Sequence, residues 1–199
     1  MVSRTILSAI GITVWAAVLV TAAPRVLSHR HGEHSVFASS RDQWPAASCS
    51  DLHFEFDGRD AVIQSEEKTI SKAEAPTLRV QAESNGGLQV QGWDQNAYSV
   101  TLCKAARSGS DADNILSQIK LTFSGGQVGI SGPSSHHDWA THLLIKAPRA
   151  AVMDLGVHNG PMGLFHVEGN LKVRAENGRS PSAAVRVNST SPRKMGRSR

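Results

Sequence analysis

The densest group of residues that could bind a metal ion lies at 136–142, which reads His-His-Asp-Trp-Ala-Thr-His. Histidine nitrogens and carboxylate oxygens are common ligands of zinc and nickel. In a strand His136 and Asp138 would face one side and His137 the other, because side chains alternate. Only a loop would gather His136, His137 and His142 around one ion. A polar loop without metal is the alternative interpretation.

Two further groups contain residue types used in catalysis. Ser134, Ser135, His136 and Asp138 contain the residue types of a hydrolase triad, but a triad needs side chains that converge from separate elements. Paired acids for sugar hydrolysis are a second possibility. The candidate acids are Asp57, Asp60, Glu66 and Glu67. They fall around a turn and in a polar stretch, which favours a solvated edge, so we predict no catalytic residues.

Trp93 is a candidate for stacking on a sugar ring. Asp94 and Asn96 follow it and could bind sugar hydroxyls. A tryptophan in this position also commonly covers one end of a core, with its N–H bound to a nearby oxygen. Both interpretations stay open from the sequence.

The elements that must position these residues are indicated by an internal repeat between Met153 and Gly178. Leu155 recurs as Val173, and Val157 as Ala175, at a spacing of 18 residues. A third copy begins at Leu78, with one residue inserted. The repeat turns are Asn85-Gly86, Asn159-Gly160 and Asn177-Gly178. Self-similarity of this kind is typical of stacked strand units.

Apolar residues at every second position predict strands with one buried face, and Asn-Gly predicts turns that use positive φ. We therefore predict an all-β fold, a β-solenoid or β-helix-like stack with repeats of about 18 residues. A β-sandwich of hairpins is the alternative. In the solenoid Leu155 lies over Val173, so Val173→Asp should unfold the C-terminal turns. The polar stretch Ser65 to Pro76 is expected to be a loop or an irregular edge.

Three motifs carry a resemblance to a known family. They are Leu-x-Val-x-Ala-x-Asn-Gly, Asn-Gly-Pro-Met-Gly-Leu and Val-x-Gly-x-Leu-x-Val. Over about residues 49–178 the chain resembles the bacterial putative-adhesin family of β-strand repeat proteins of unknown function. The resemblance implies a cell-envelope β-solenoid and no catalytic residues.

The N-terminus has the pattern of an export signal. Arg4 precedes 18 residues without charge, Ile6 to Ala23. Residues 1–22 are therefore expected to be a signal peptide or, uncleaved, a membrane anchor, since 18 helical residues span about 27 Å. Residues 23–47 are rich in His, Ser and Arg and are expected to be a flexible linker. The body, 48–178, is thus predicted to be exported: periplasmic, on the cell surface or membrane-anchored.

The chain has two cysteines, Cys49 and Cys103. Export to an oxidising compartment permits a disulfide, which we predict. Two buried free thiols are the alternative.

The basic charge is concentrated in the tail, residues 179–199. Its six Lys and Arg and the absence of acids predict a disordered basic segment. Without those six and Arg4, 14 of the 21 bases remain against 17 acids, so the body is acidic and no nucleic-acid partner is expected. The family that the chain resembles would continue Gly178 with Pro-Ile-Ser. If one base is lost from codons for Gly-Pro-Ile-Ser, the new reading frame encodes Gly-Arg-Ser-Pro, which are the residues at 178–181. We therefore expect an out-of-frame tail and a truncated repeat domain.

The sequence thus predicts an exported cell-envelope protein with a structural or adhesin-like role and without a cofactor. Its partner would be an envelope protein or a glycan, with membrane contact through the N-terminal segment if it is uncleaved. One alternative is a carbohydrate-active β-helix enzyme, for which Asp154 beside Lys172 and Arg174 would be the nearest polar cluster. The other is a periplasmic metal-binding domain.

Overall fold

Strands form most of the computed structural model, which describes residues 36–40, 45–82, 86–134 and 138–176. The all-β prediction is confirmed. One short helix, α1 (Ala112–Gln118), and one 3₁₀ turn (Cys49–Asp51) accompany the strands within these ranges. The strands are β1 Val36–Ser40, β2 Leu52–Phe56, β3 Arg59–Ser71, β4 Thr77–Gln81, β5 Gly87–Trp93, β6 Ala97–Arg107, β7 Lys120–Ser124, β8 Gln127–Ser131, β9 Trp139–Pro148, β10 Val152–Val157, β11 Met162–Phe165 and β12 Asn170–Ala175.

The strands form two sheets. The seven-stranded sheet has the order β1-β2-β3-β6-β9-β5-β11, and the five-stranded sheet has the order β12-β10-β4-β8-β7. Pairing is antiparallel from β1 to β9 and between β7 and β8. It is parallel in β9-β5-β11 and in β12-β10-β4-β8. The fold therefore combines antiparallel neighbours with parallel rungs.

The parallel rungs follow the sequence repeat. Leu155 of β10 lies between Val80 of β4 and Val173 of β12, and Val157 is the register partner of Ala175. The predicted register of these residues is confirmed, but the predicted burial of Val173 is not, since it is 37% exposed. Copies of one pattern pair in register because a one-residue slip would turn every apolar side chain to the other face.

The main core lies between the two sheets. Side chains alternate between the two faces of a strand, so every second residue points into this core. Leu78 and Val80 of the small sheet therefore share a buried cluster with Leu88 and Val90 of the large sheet. Helix α1 contributes Leu116 to the same cluster.

The turns use glycine for two reasons. Asp57-Gly58 and Gly125-Gly126 join hairpins and have positive φ. Gly160 lacks positive φ, contrary to the expectation for an Asn-Gly turn. It packs on the backbone of Gly86 in the rung below, where a Cβ would collide with the Gly86 carbonyl oxygen. Its partner Asn159 is described, whereas Asn85, Asn177 and Gly178 lie outside the described residues.

Of the two alternatives for the stretch from Ser65, the loop is wrong up to Ser71, because β3 pairs with β6 over 61–71. Along most of its length β3 has β6 as its one strand neighbour in the described chain. Most of its side chains are exposed, which is why they can be polar. Within the expected linker, Val36–Ser40 forms β1 and pairs with β2.

The expected signal or anchor, 1–22, and the tail, 179–199, lie outside the described residues. Within the described ranges no helix combines the length and the apolar composition that a membrane crossing requires.

A second, smaller core lies on the outer face of the large sheet. Phe54 and Phe56 of β2 pack there against Ala105 and Ala140. Strand β2 therefore folds over one half of that face and leaves the other half to the groove described next.

Candidate functional site

The uncovered half of this face forms a groove of about 420 Å³, here called the outer groove. Its floor belongs to the four adjacent strands β3, β6, β9 and β5. On β5 and β9 the inward residues Leu88, Val90, Leu143 and Ile145 are buried in the main core, so the alternating residues that reach the groove are free to be polar. The polar floor residues are Ser65, Glu67, Gln89, Gln91, Ser99, Thr101 and Lys146.

The register places groups of opposite character side by side. Thr101 is the strand partner of Glu67, and Lys146 is the partner of both Ser99 and Gln91. The Ser99 hydroxyl donates a hydrogen bond of 2.7 Å to the Glu67 carboxylate. Carboxylate, hydroxyl, ammonium and amide side chains thus project from neighbouring strands that lie about 5 Å apart. Such a surface can donate and accept hydrogen bonds with a polyhydroxylated ligand.

The rim of the groove is residues 46–50, here called the rim segment. Gln89 binds it at two points: the Ala46 N–H donates to Gln89 Oε1 at 2.8 Å, and Gln89 Nε2 donates to the Ala46 carbonyl at 2.7 Å. Gln89 is 2% exposed, and these two hydrogen bonds satisfy the oxygen and the nitrogen of its side-chain amide. The side chain therefore acts as a clamp.

The predicted disulfide fixes the same segment. Cys49 is bonded to Cys103, with the two Cα atoms 5.4 Å apart. Cys103 lies buried on β6 beside the groove. The Ser48 N–H also donates to Asp51 at 2.9 Å, and hydrogen bonds from Ser48 and Ala47 lower the pKa of that carboxyl. The rim is thus held in place before any ligand binds.

Trp93 lies beside the groove. It is two residues beyond Gln91 on β5 and so faces the same side of the sheet. Its Nε1 donates to the Ala97 carbonyl at 2.8 Å, and the residue is partly exposed. The ring is therefore oriented by the protein. Asp94, predicted to help bind a sugar, is instead engaged by Arg149 at 2.7 Å, which lowers the pKa of the Asp94 carboxyl.

The predicted metal site is only partly within the described chain. His136 and His137 lie outside it. His142 lies on β9, 1% exposed, with its ring against Gly87, and burial lowers its pKa to about 4. Asp138, also considered as a ligand, binds Arg107 at 3.0 Å. In the ranges that the structure describes, no three His, Cys, Asp or Glu side chains gather as a metal site.

The structure does not bring the candidate acids together. Glu67 reaches the groove, whereas Glu66 points to the other side of β3, where it lies 3.6 Å from the Lys104 ammonium. Asp57 binds Arg107 at 2.8 Å. These carboxylates therefore do not form the facing pair that a glycosidase uses.

Asp154, the enzyme candidate, lies on the outer face of the five-stranded sheet. Lys172 is its register partner, as the sequence suggested. Both of its oxygens accept hydrogen bonds from Arg174, at 2.7 and 3.2 Å. The carboxylate is thus engaged in an ion pair.

Sequence reasoning did not find the outer groove. The signal is present at Gln89 and Gln91, polar residues between the apolar Leu88 and Val90. Only the strand order, however, brings Glu67 and Lys146, 79 positions apart, onto one surface.

Comparison with protein-family models and with curated proteins yields no match. Solved structures give matches at low identity. A putative cell adhesion protein from Clostridium sporogenes is 13% identical, with 57% of this chain and 59% of that chain covered and a TM-score of 0.35. A putative adhesin from Bacteroides fragilis is 12% identical, with 59% and 60% covered and a TM-score of 0.34.

A putative adhesin from Parabacteroides distasonis is 9% identical, with 56% of each chain covered and a TM-score of 0.31. The chain spans about three-fifths of the length of the solved structures it matches. Their names agree with the family that the Asn-Gly motifs resemble. The fold described above rests on the strand pairing, not on these overlays.

Proposed function

We propose that this protein is an exported, non-enzymatic interaction module of the bacterial cell envelope that binds a glycan in the outer groove. The observation that carries the proposal is the groove itself: a mixed polar floor beneath a rim fixed by the Cys49–Cys103 disulfide and the Gln89 clamp. A preformed site loses little conformational entropy when a ligand binds.

The floor chemistry fits a sugar. Hydroxyl groups of a sugar both donate and accept, so they can pair with Glu67, Lys146 and Gln91 in one orientation. The oriented Trp93 ring beside the groove offers an apolar surface for the C–H face of a pyranose.

The same site argues against catalysis. Among the groove-lining residues Glu67 is the one carboxylate, and it already accepts a hydrogen bond from Ser99. Glycoside hydrolysis usually needs two carboxyl groups on opposite sides of the bond. We therefore assign binding without turnover.

A structural role accompanies the binding role. The rungs β4-β10-β12 and β9-β5-β11 support interpreting this part of the domain as a short β-solenoid. The apolar run at the N-terminus and the disulfide support export, because disulfides persist in oxidising compartments.

The test is calorimetric titration of the full chain with neutral and anionic oligosaccharides from bacterial envelopes. We expect a binding oligosaccharide whose affinity falls about tenfold in Lys146→Met and in Ser99→Ala. Each variant removes one hydrogen-bonding group from the groove floor and leaves the core intact.

The matched controls are Lys120→Met and Thr122→Val, exposed residues on β7 of the other sheet. They should bind as the wild type does. Absence of binding to every oligosaccharide, or equal losses in groove and control variants, would contradict the proposal.

A further inference from the structure

Strand β12 is the last rung of the five-stranded sheet and has an open edge. In the described chain β10 is its one strand neighbour. Its residues continue the rows of the sheet below: Leu171 follows Met153, and Val173 follows Leu155. The N–H and C=O groups of its outer side are therefore available to a further strand.

The core is uncovered at this edge. Along one inward row, Val80 is 2% exposed and Leu155 is 0% exposed, whereas Val173 is 37% exposed. The three residues have the same inward orientation, so the difference arises because no strand of the described residues lies beyond β12. Leu116 of α1 and Ile119, which follows the helix, are by contrast fully buried in the same core.

The outward row has a charge pattern. Arg79, Asp154 and Lys172 are consecutive register partners, so the sign alternates base, acid, base toward the edge. Asp154 is engaged by Arg174, and Lys172 forms no ion pair with a residue that the structure describes. The next position in this row therefore favours a carboxylate.

We propose that the β12 edge binds an extended segment of another protein whose side chains are alternately apolar and acidic. The backbone of the segment would continue the sheet. Its apolar side chains would cover Leu171 and Val173, and its carboxylates would lie opposite Lys172 and Arg174. This surface is separate from the outer groove, so the proposal does not depend on glycan binding.

Charge disfavours the two other occupants. In a symmetric antiparallel pair of two β12 strands centred on residue 172, 173 or 174, at least one base faces a base. The tail of this chain, 179–199, carries six bases and no acid. Like charges directly opposite each other destabilise a sheet, so a foreign acidic strand fits better.

The test measures binding of labelled synthetic peptides to the full chain by fluorescence anisotropy. The first peptide alternates valine and glutamate over six residues, the second has lysine for glutamate, and the third has proline at its centre. We expect the glutamate peptide to bind about tenfold more tightly than the lysine peptide. The proline peptide should not bind, because proline cannot donate to the ladder.

Lys172→Glu should reverse the preference between the first two peptides, and the control Lys120→Glu, on the opposite edge strand β7, should leave it unchanged. Lys172 is exposed, and unchanged thermal melting would show that the variant folds. Equal binding of the charged peptides, or no binding, overturns the proposal.

Two further outcomes would also overturn it by identifying another occupant. A wild-type dimer in analytical ultracentrifugation that Val173→Lys dissociates would assign the edge to a second copy. Peptide binding that appears only after residues 179–199 are removed would assign it to the tail of the chain.

Discussion

At the scale of single residues, the side chain of His142 is buried on β9, so its protonated form cannot be hydrated. Its pKa is about 4 in the folded protein against 6.5 as a free side chain. As pH falls from 6.5 to 4, the unfolded chain binds the proton first, so the free energy of unfolding decreases. We expect this residue to account for a loss of about 3 kcal/mol across that window.

The measurement is urea unfolding at pH 7 and near pH 4.5. His142→Leu should reduce the difference between the two pH values. His166→Asn, an exposed histidine with positive φ that asparagine tolerates, should keep it. Identical pH profiles for wild type and His142→Leu would show that His142 is not the group responsible.

Gly160 is a second residue whose role is local. A methyl group there would overlap the Gly86 carbonyl. Because this carbonyl belongs to the backbone, it cannot move aside as a flexible side chain could. We expect Gly160→Ala to lower the free energy of unfolding by about 2 kcal/mol, because one stacked turn must move. Gly109→Ala is the control, since a Cβ at Gly109 would meet nothing within 4 Å. Equal melting temperatures would mean that the turns are not in contact.

At the scale of elements, a polar network joins strands of the two sheets near α1. The Lys104 ammonium is largely buried, donates to the Ile119 carbonyl at 3.1 Å and lies 3.6 Å from the Glu66 carboxylate. Glu66 in turn accepts from the Leu121 N–H at 3.3 Å. The network connects β3 and β6 of the large sheet to Ile119 and to β7 of the small sheet.

We expect Lys104→Met to lower the free energy of unfolding by about 2 kcal/mol, because it leaves polar partners unpaired where water is largely excluded. Lys146→Met makes the same chemical change on an exposed site of β9 and should cost little. Chemical denaturation of both variants provides the comparison. A similar cost in the two would argue that the network adds nothing to stability.

The elements also show what the sequence could predict. Strands with one buried face were found because Leu78, Val80 and Ala82 alternate with polar residues, and the 18-residue copies predicted the pairing of β10 with β12. The second half of β3 was missed because its exposed, polar side chains, such as Glu67 and Lys68, read as a loop. The groove was missed because it depends on strand order, which side-chain periodicity does not encode.

At the scale of the whole molecule, the five-stranded sheet ends at β12 with an open edge in the described chain. Val173 on this edge is 37% exposed. The sequence predicted that Val173→Asp would unfold the C-terminal turns. The structure reduces that expectation, because a carboxylate at Val173 would retain contact with water.

Leu155 and Val173 therefore form a matched pair, in register with each other on adjacent strands. Leu155→Asp buries a charge in a fully enclosed position and should cost about 4 kcal/mol or more. Val173→Asp should cost about 1 kcal/mol, because the charge remains hydrated. Chemical denaturation of the full chain measures both free energies. If the two losses are equal, then Val173 is covered in the intact protein, and the end of the stack that we propose as a strand-binding edge is already occupied.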